Sequence, residues 1–455
     1  MDRRNLLASL AGIGAAGLAG CVSADSAPTA GTAPDPVSVP ETSVPEGVDA
    51  PTESYVAGNI DFGLALLDRL ADDAPTENRF VSPYSLGVAL AMTYAGARGE
   101  TRTNVAETLR FAPTGEDLHR SVAALRADLP LGDADESAPQ TTTAETETTD
   151  DATETEGEDG APFWFVGANA LWGQAAFPFR EAFLGTLERH YGAGLGRVDF
   201  AEHPDEARRA INGWVAERTR EKIPELFPEG TIDHRTRLVL ANAVYFRANW
   251  AETFDEGSTE PKEFTTLDGT NVEVPTMHQS ERFPFAEVDG VKVLELPYAG
   301  EDADMTLLLP PRDGFREFER GLDADRLGEL LDATESREVE VRLPRFEFRS
   351  SLELSKRLEA MGMTTAFTRE ANLDGMAEGD ADANLKLGSV VHEAYVGVDE
   401  QGTEAAAATG VEAEFTSAAL NPATFAADRP FLFVIRHRPT NAPLFLGRVA
   451  DPTAD

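Results

Sequence analysis

The sequence predicts an α+β protein built on large sheets, and three segments carry this prediction. A helix is predicted from Pro204, because apolar residues recur at i, i+3, i+4, i+7 and i+8 as far as Val215. Residues 238–246 are apolar at successive positions, which is typical of a central strand covered on both faces. Residues 431–435 and 444–449 flank a short polar connection and indicate a buried hairpin. Helices and strands therefore alternate along one chain.

Composition excludes several classes of function. The 455 residues include 80 acidic and 39 basic side chains, giving a net charge of -41. A protein with this charge lacks the basic face that binding to nucleic acid or to anionic lipid requires. The single cysteine rules out an internal disulfide and a cysteine-based metal cluster. The 42% of apolar residues, with 25 Phe, are sufficient for a large core.

Enzyme signatures are missing from the sequence. It contains no G-x-S-x-G and no G-x-x-x-x-G-K, and His392-Glu393 has no second histidine four residues after the first. The seven histidines show no spacing typical of metal ligands. The sequence therefore predicts a protein that is not an enzyme, with no catalytic residue, no metal site and no cofactor.

The N-terminal segment 1–20 is predicted to be an export signal. Arg3 and Arg4 form a basic tip typical of twin-arginine export, and the apolar run that follows is too short to span a bilayer. The sequence 18–21, Leu-Ala-Gly-Cys, resembles a lipobox, so Cys21 is a candidate for lipidation. The alternative is an export signal followed by an incidental cysteine. Either way we expect an extracytoplasmic protein, lipid-anchored at the cell surface or secreted, whose only contact with the membrane is the anchor.

Two stretches have the composition of solvated linkers. Residues 21–54 are predicted to be a disordered acidic linker, because they contain hardly any large apolar side chain. Residues 131–161 form a second acidic, Thr-rich stretch that cannot bury enough apolar area to become ordered. We therefore expect residues 55–455 to form a single domain with a disordered insertion at 131–161.

In the segment 399–417, residue types alternate with a period of two, as they do along a half-buried strand. Thr403, Ala405 and Ala407 lie on one parity, and Glu404, Ala406 and Ala408 lie on the other. A short Ala-rich helix and an ordinary edge strand are both alternatives. Small side chains on both parities favour a different interpretation, in which the segment can slip between two existing strands.

Separate sequence motifs lie at 78–85, 212–223, 240–246, 391–394, 399–409, 427–436 and 445–449. Together, and in this order, they resemble the serpin family, and the resemblance covers the chain from Asn59 to Pro452. It implies the serpin fold, with three β-sheets, about eight or nine helices and an exposed reactive-centre loop. It also implies inhibition of serine-type endopeptidases, in which the loop is cleaved, traps the protease as a covalent acyl-enzyme and inserts into the main sheet. Glu393 departs from the family at a position where Lys is common, and Glu221 stands where Gly is frequent.

The resemblance also assigns candidate site residues. The hinge of the loop would contain Glu400, Gly402, Thr403, Ala405, Ala406, Ala407 and Ala408. The shutter, which bridges the strands that separate on insertion, would contain Ser82, Pro83, Ser85, Asn242 and His392. The breach, where insertion begins, would contain Trp250, Arg345 and Glu400. The reactive bond would join Thr416 to Ser417, with Phe415-Thr416 as the neighbouring option and Ala419-Leu420 also open.

The loop sequence restricts the expected partner. No Lys or Arg occurs from Gln401 to Asp428, so a trypsin-like protease would find no cation for its specificity pocket. We expect a subtilisin- or chymotrypsin-like serine protease as the partner. We expect no binding to nucleic acid, and we expect the inhibitor to be a monomer. The alternative is a non-inhibitory surface protein of the same fold with a binding or chaperone-like role. Net charge of this size also predicts a halophilic protein, since high salt screens self-repulsion.

Overall fold

The computed structural model describes residues 52–129, 163–192, 194–377, 385–403 and 422–454. The predicted leader, Cys21, nearly all of the linker, the insertion 131–161, Ala405 to Ala408 and the predicted reactive bond lie outside these ranges. The described residues form nine α-helices: α1 (Thr52–Asp73), α2 (Pro83–Gly96), α3 (Gly99–Thr108), α4 (Glu116–Asp128), α5 (Glu181–Tyr191), α6 (Pro204–Arg218), α7 (Phe315–Gly321), α8 (Ala324–Asp332) and α9 (Ser355–Ala360).

Fifteen strands are present in the same ranges. They are β1 (Arg79–Val81), β2 (Trp164–Gln174), β3 (Leu195–Val198), β4 (Leu238–Asn249), β5 (Glu260–Thr265), β6 (Asn271–Val288), β7 (Val291–Pro297), β8 (Ala303–Leu309), β9 (Glu335–Pro344), β10 (Phe346–Glu353), β11 (Val390–Val398), β12 (Gly402–Thr403), β13 (Ala423–Ala426), β14 (Phe431–His437) and β15 (Ala442–Val449). The predicted hairpin is confirmed, because β14 and β15 pair antiparallel.

Six strands form the sheet that carries the candidate site, in the order β10-β11-β12-β4-β2-β3. The pairs β10–β11 and β2–β4 are antiparallel, whereas β11 pairs parallel with β4. A parallel pair at the centre of an otherwise largely antiparallel sheet leaves room, by polarity, for one antiparallel strand between its members. The two-residue strand β12 occupies part of that position.

The other nine strands hydrogen-bond into a second sheet. Its path is β1-β15-β14-β8-β7-β6-β9-β13, with β5 also paired to β6. The 18-residue strand β6 pairs with β5 and β9 along most of its length and with β7 at its end. The resemblance implies three sheets, but the hydrogen bonds define two networks. The reason is that the long strand β6 belongs to two of the three sheets and joins them into one network.

Strand β4 shows why the central sheet is buried on both faces. Leu238, Leu240 and Val244 belong to the main hydrophobic core, which also includes apolar residues of α2 and β15. Val239 and Ala241 belong to a second core under α6. Period-two alternation thus assigns successive apolar residues to opposite faces, as the sequence predicted for this segment. No helix in the described part of the chain is long and apolar enough to cross a bilayer.

Two local expectations differ from the structure. Helix α1 begins at Thr52, three residues before the expected domain start, because Tyr55 and Val56 are already buried in the core. The α6 pattern suggests that Arg208 points outward with Arg209, but Arg208 is buried. Its Nη1 donates to Glu225 Oε1 at 2.9 Å and to the Phe227 carbonyl at 3.1 Å. The chain after α6 therefore folds back over a helix face that periodicity alone assigns to solvent.

Candidate functional site

The segment predicted to be the hinge of the loop begins inside the six-stranded sheet. Strand β12 pairs antiparallel with β11 through Val398 and Thr403, and with β4 through Gly402–Asn249 and Thr403–Ala248. Further along the sheet, β11 and β4 pair directly and in parallel over Val390–Ala394 and Leu240–Val244. Gly402 and Thr403, which belong to the segment that was predicted to slip between strands, are thus already placed between β11 and β4.

Close backbone packing determines which residues fit at β12. A Cβ added at Gly402 would lie 2.0 Å from the Ala248 carbonyl oxygen and 2.7 Å from Asn249 Cα, so only glycine fits there without backbone movement. Thr403 is 1% exposed, and its hydroxyl lies 2.7 Å from the hydroxyl of Tyr298. A small side chain with one hydrogen bond is accommodated at this point, whereas a charge would be buried without a partner.

Trp250 holds the turn that precedes β12. Its indole Nε1 donates to the Asp399 carbonyl at 2.9 Å, and its backbone N–H donates to the Gln401 carbonyl at 2.8 Å. The ring stacks on Tyr298 with centroids 4.7 Å apart and planes 7° from parallel. The residue that orders the turn therefore also positions the hydroxyl that contacts Thr403.

Glu400 anchors the same turn through its carboxylate. Arg345 donates from Nε to Glu400 Oε1 at 2.8 Å, and Arg345 Nη2 and Thr259 Oγ1 donate to the same oxygen. Glu400 is 2% exposed. Burial acts to raise the pKa of this carboxyl, but the hydrogen bonds from Arg345 and Thr259 outweigh it and leave the pKa below its usual value. The carboxylate is therefore charged at neutral pH. Its bonds to Arg345 and Thr259 tie the turn before β12 to the rest of the protein.

His392 bridges β11, β4 and the start of α2. Its Nδ1–H donates to Asn242 Oδ1, and its Nε2 accepts the Ser82 backbone N–H at 3.2 Å. These two bonds require the neutral tautomer with the proton on Nδ1. The Ser82 hydroxyl makes two other bonds: it donates to the Leu444 carbonyl at 2.6 Å and accepts the Ser85 N–H at 3.2 Å as the N-cap of α2, which starts at Pro83.

The polar network continues onto β2 through a residue that the sequence analysis missed. Asn242 Nδ2 donates to Ser85 Oγ at 2.8 Å and to Asn169 Oδ1 at 2.5 Å, and Ser85 Oγ donates to Asn169 Oδ1 at 2.8 Å. Asn169 lies directly opposite Asn242 in the β2–β4 register. Four elements therefore meet at one cluster of polar side chains within the sheet: α2, β2, β4 and β11.

Comparison with known proteins identifies the family. A sequence model described as Serpin (serine protease inhibitor) matches residues 57–452 of this chain. The chain belongs to the serpin family. The leukocyte elastase inhibitor of Bos taurus is 37% identical over 410 residues, which cover 88% of this chain and 100% of that protein.

Solved serpin structures share the fold. The native thermophilic serpin tengpin superposes with a TM-score of 0.74 at 26% identity, covering 88% of this chain and 94% of that one. Human thyroxine-binding globulin in complex with thyroxine superposes with a TM-score of 0.73 at 26% identity, covering 89% and 100%. The expected α+β serpin fold is thus confirmed.

The structure brings the residues predicted for the shutter together, and it also brings together those predicted for the breach. Hydrogen bonds join Ser82, Ser85, Asn242 and His392 in one network, and Pro83 begins the helix α2. Trp250 and Arg345 hold the turn before β12, which contains Glu400. Sequence reasoning missed Asn169, Tyr298 and Thr259. Asn169 carried a usable signal, because it is a polar residue within an apolar strand, as Asn242 is. Tyr298 and Thr259 carried none, since nothing in their local sequence relates them to Thr403 or Glu400.

Two departures from the family pattern have local explanations. Glu393 is 4% exposed and accepts a hydrogen bond from Arg349 Nη1 at 3.1 Å, although burial raises the pKa of its carboxyl. The acid at this position is thus matched by a base on the neighbouring strand β10. Glu221 has a φ of 61°, in the left-handed region where glycine is favoured, which explains why Gly is frequent in the family at this position. Within the described ranges, no group of three His, Cys, Asp or Glu side chains could hold a metal ion.

His392 makes stability depend on pH. Burial lowers the pKa of this imidazole to about 3, against about 6.5 for an unfolded chain. Between these two values the unfolded state binds more protons, so the folded state loses stability as the pH falls. We expect His392 to contribute a loss of about 2 kcal/mol between pH 7 and pH 5.

Replacing the imidazole isolates this contribution. When the pH falls from 7 to 5, the free energy of unfolding of His392→Gln should decrease by about 2 kcal/mol less than that of the wild type. Denaturant titrations at both pH values measure the difference, and the exposed His234→Gln serves as the matched control. Equal pH dependence in wild type and His392→Gln would contradict a buried neutral His392.

Proposed function

We propose that this serpin inhibits serine endopeptidases by loop cleavage, covalent trapping and loop insertion between β4 and β11. The protease serine attacks the carbonyl of the loop's scissile residue, the amine of the next residue leaves, and an ester joins the protease to the inhibitor. Insertion then carries the bound protease along the sheet before water hydrolyses the ester. The observation that supports this proposal most is the placement of Gly402 and Thr403 between the two strands.

The register of β12 specifies how insertion would proceed. Thr403 lies opposite Ala248, so an antiparallel continuation brings Ala405 opposite Phe246 and Ala407 opposite Val244. Thr403 points toward Tyr298 in the core, so Ala405 and Ala407 would follow it on the core face. Glu404 would point to the other face, which avoids burying its charge in the core.

The shutter sets the point at which insertion meets resistance. In the same register the β11–β4 ladder would first be met at Val244, opposite Ala407. Thr409 would come opposite Asn242, where the His392–Asn242 hydrogen bond also joins the two strands. Those contacts must break before the strand can pass. The shutter network therefore supports a native state that is trapped kinetically until cleavage frees the loop.

Completed insertion supplies the driving force. Extended at about 3.3 Å per residue, the segment from Gly402 to Thr416 would span roughly 50 Å. About a dozen new backbone hydrogen bonds at roughly 0.5–1.5 kcal/mol each, with burial of the core-facing side chains, give on the order of 10 kcal/mol. This gain is available only after cleavage, because the intact loop is tied at both ends.

We propose a chymotrypsin- or subtilisin-like protease as the target. The predicted bond Thr416-Ser417 and its neighbours offer small or aromatic side chains and no cation. The family's link to proteases, and the name of the bovine relative as an elastase inhibitor, support this class. The test is incubation with chymotrypsin, elastase and subtilisin, followed by denaturing electrophoresis for an SDS-stable adduct and mass analysis of the released peptide.

A non-inhibitory binding role is the second candidate. It is supported by the likeness to thyroxine-binding globulin, which is seen in complex with thyroxine. In that case proteases would cut the loop and leave no adduct. The two proposals therefore differ in the outcome of one incubation.

We propose that the mature protein is lipid-anchored through Cys21 outside the cytoplasm. The support is the leader sequence alone, with its paired arginines and lipobox-like residues. Mass analysis of the mature N-terminus should find a lipid on Cys21, and Cys21→Ser should be released from the membrane fraction. An unmodified Cys21 on membrane-bound protein would refute the anchor.

We propose that the protein requires high salt for full stability. A net charge of -41 repels itself, and the screening length falls from about 10 Å at 0.1 M salt to about 3 Å at 1 M. The melting temperature should be clearly higher in 2 M than in 0.1 M KCl, as followed by circular dichroism. An unchanged melting temperature over this range would rule out a halophilic adaptation.

A further inference from the structure

A surface cavity of about 430 Å³ lies between α3 and the chain that leads into α4, away from the loop-insertion site. Its apolar lining includes Tyr94, Ala106 and Phe111, and two guanidinium groups, those of Arg102 and Arg110, also line it. A cavity of this size lies within the range of small-molecule sites, which combine an apolar wall with a few polar groups.

The two arginines stand out in so acidic a chain. Arg102 lies over the Tyr94 ring, with its guanidinium carbon 4.3 Å from the ring centroid, and Arg110 is exposed. Among the described residues neither makes an ion pair, whereas Arg316 pairs with Asp68, Asp72 and Glu319. Two positive groups at the wall of one cavity are therefore available to an external anion.

The remaining polar groups restrict the charge of that anion. Glu107 also lines the cavity and would repel a second negative charge on a ligand. The hydroxyl groups of Thr103 and Thr114 add neutral hydrogen-bonding capacity. The two guanidinium groups and the one carboxylate give the cavity lining a net charge of +1. This charge matches a monoanion better than a dianion.

We propose that this cavity binds a small monocarboxylate that carries an aromatic or branched apolar group. The carboxylate would lie between Arg102 and Arg110, because a guanidinium offers paired N–H donors that match its two oxygens. The apolar group would pack on the half-buried Ala106 and on the small accessible parts of Tyr94 and Phe111. This site is independent of the proposed protease inhibition, since it contains no residue of the hinge, breach or shutter.

The test uses 3-phenylpropionate as the probe and its neutral amide as the matched ligand. Calorimetry on the full chain, in a buffer where circular dichroism shows it folded, should find the acid bound at least about 10-fold more tightly than the amide. Arg110→Gln and Arg102→Met should each weaken binding of the acid by about 10-fold. Arg209→Gln, on the exposed face of α6, should leave it unchanged.

Several results would overturn the proposal. They are equal affinity for the acid and the amide, no detectable binding of the acid, and wild-type affinity in both cavity variants. Tighter binding of phenyl phosphate than of 3-phenylpropionate would show that the site takes a dianion and that the monocarboxylate assignment is wrong. Arg110 is exposed, so Arg110→Gln should fold and keeps the test valid if Arg102→Met does not.

Discussion

Thr403→Arg should convert the inhibitor into a substrate. Thr403 is 1% exposed between β4 and β11 and faces the Tyr298 hydroxyl. An arginine at this position would leave the sheet in the uncleaved protein, and it would have to be buried without a counter-charge when the loop inserts. A penalty of about 3 kcal/mol in the insertion step slows it by about 100-fold, which lets hydrolysis of the acyl-enzyme win. The measurement is the ratio of adduct to cleaved inhibitor after reaction with the target protease.

Two further variants separate charge from the other properties of this side chain. Thr403→Ser keeps the hydroxyl group, and Thr403→Val keeps the shape while removing the hydrogen bond to Tyr298. Both should still form adduct, because neither places a charge between the strands. If Thr403→Arg forms adduct as wild type does, insertion does not pass through the position that β12 occupies.

Cleavage of the loop should raise the melting temperature by about 10 °C or more. An inserted strand adds on the order of 10 kcal/mol, and for a folded domain of about 400 residues each kcal/mol shifts the melting temperature by about 1 °C. A protease that cuts the loop without being trapped produces the cleaved form, and calorimetric melting before and after cleavage measures the shift.

The Thr403→Arg variant serves as the control for this shift as well. Cut at the same bond, it should show a much smaller gain, because its hinge cannot enter the sheet easily. A wild-type protein that melts within about 2 °C of its cleaved form would favour the binding role over inhibition.

The sequence predicted the fold correctly in segments where the pattern of apolar residues indicates burial directly. The run 238–246 alternates between two cores, and this is visible in the sequence because both faces are apolar. His392, Asn242 and Glu400 were assigned through the resemblance, which aligns them with positions of known context. The structure then supplied their partners and geometry.

Other features depend on contacts between distant parts of the chain. Arg208 was expected to face solvent because helical periodicity cannot show that Glu225 and Phe227 fold back over α6. Tyr298 contacts a residue 105 positions away, and Thr259 contacts one 141 positions away. The placement of Gly402 and Thr403 inside the sheet also required the structure, since the sequence pattern of a strand does not state whether it has inserted.

Reaction of the purified protein with chymotrypsin, elastase or subtilisin tests the central proposal most directly. With the target protease we expect an SDS-stable adduct close in mass to protease plus inhibitor, together with a released C-terminal peptide beginning at Ser417 or within a few residues of it. The adduct should disappear in Thr403→Arg while the peptide is still released. Complete cleavage of the wild-type loop by these proteases with no adduct would contradict inhibition by trapping.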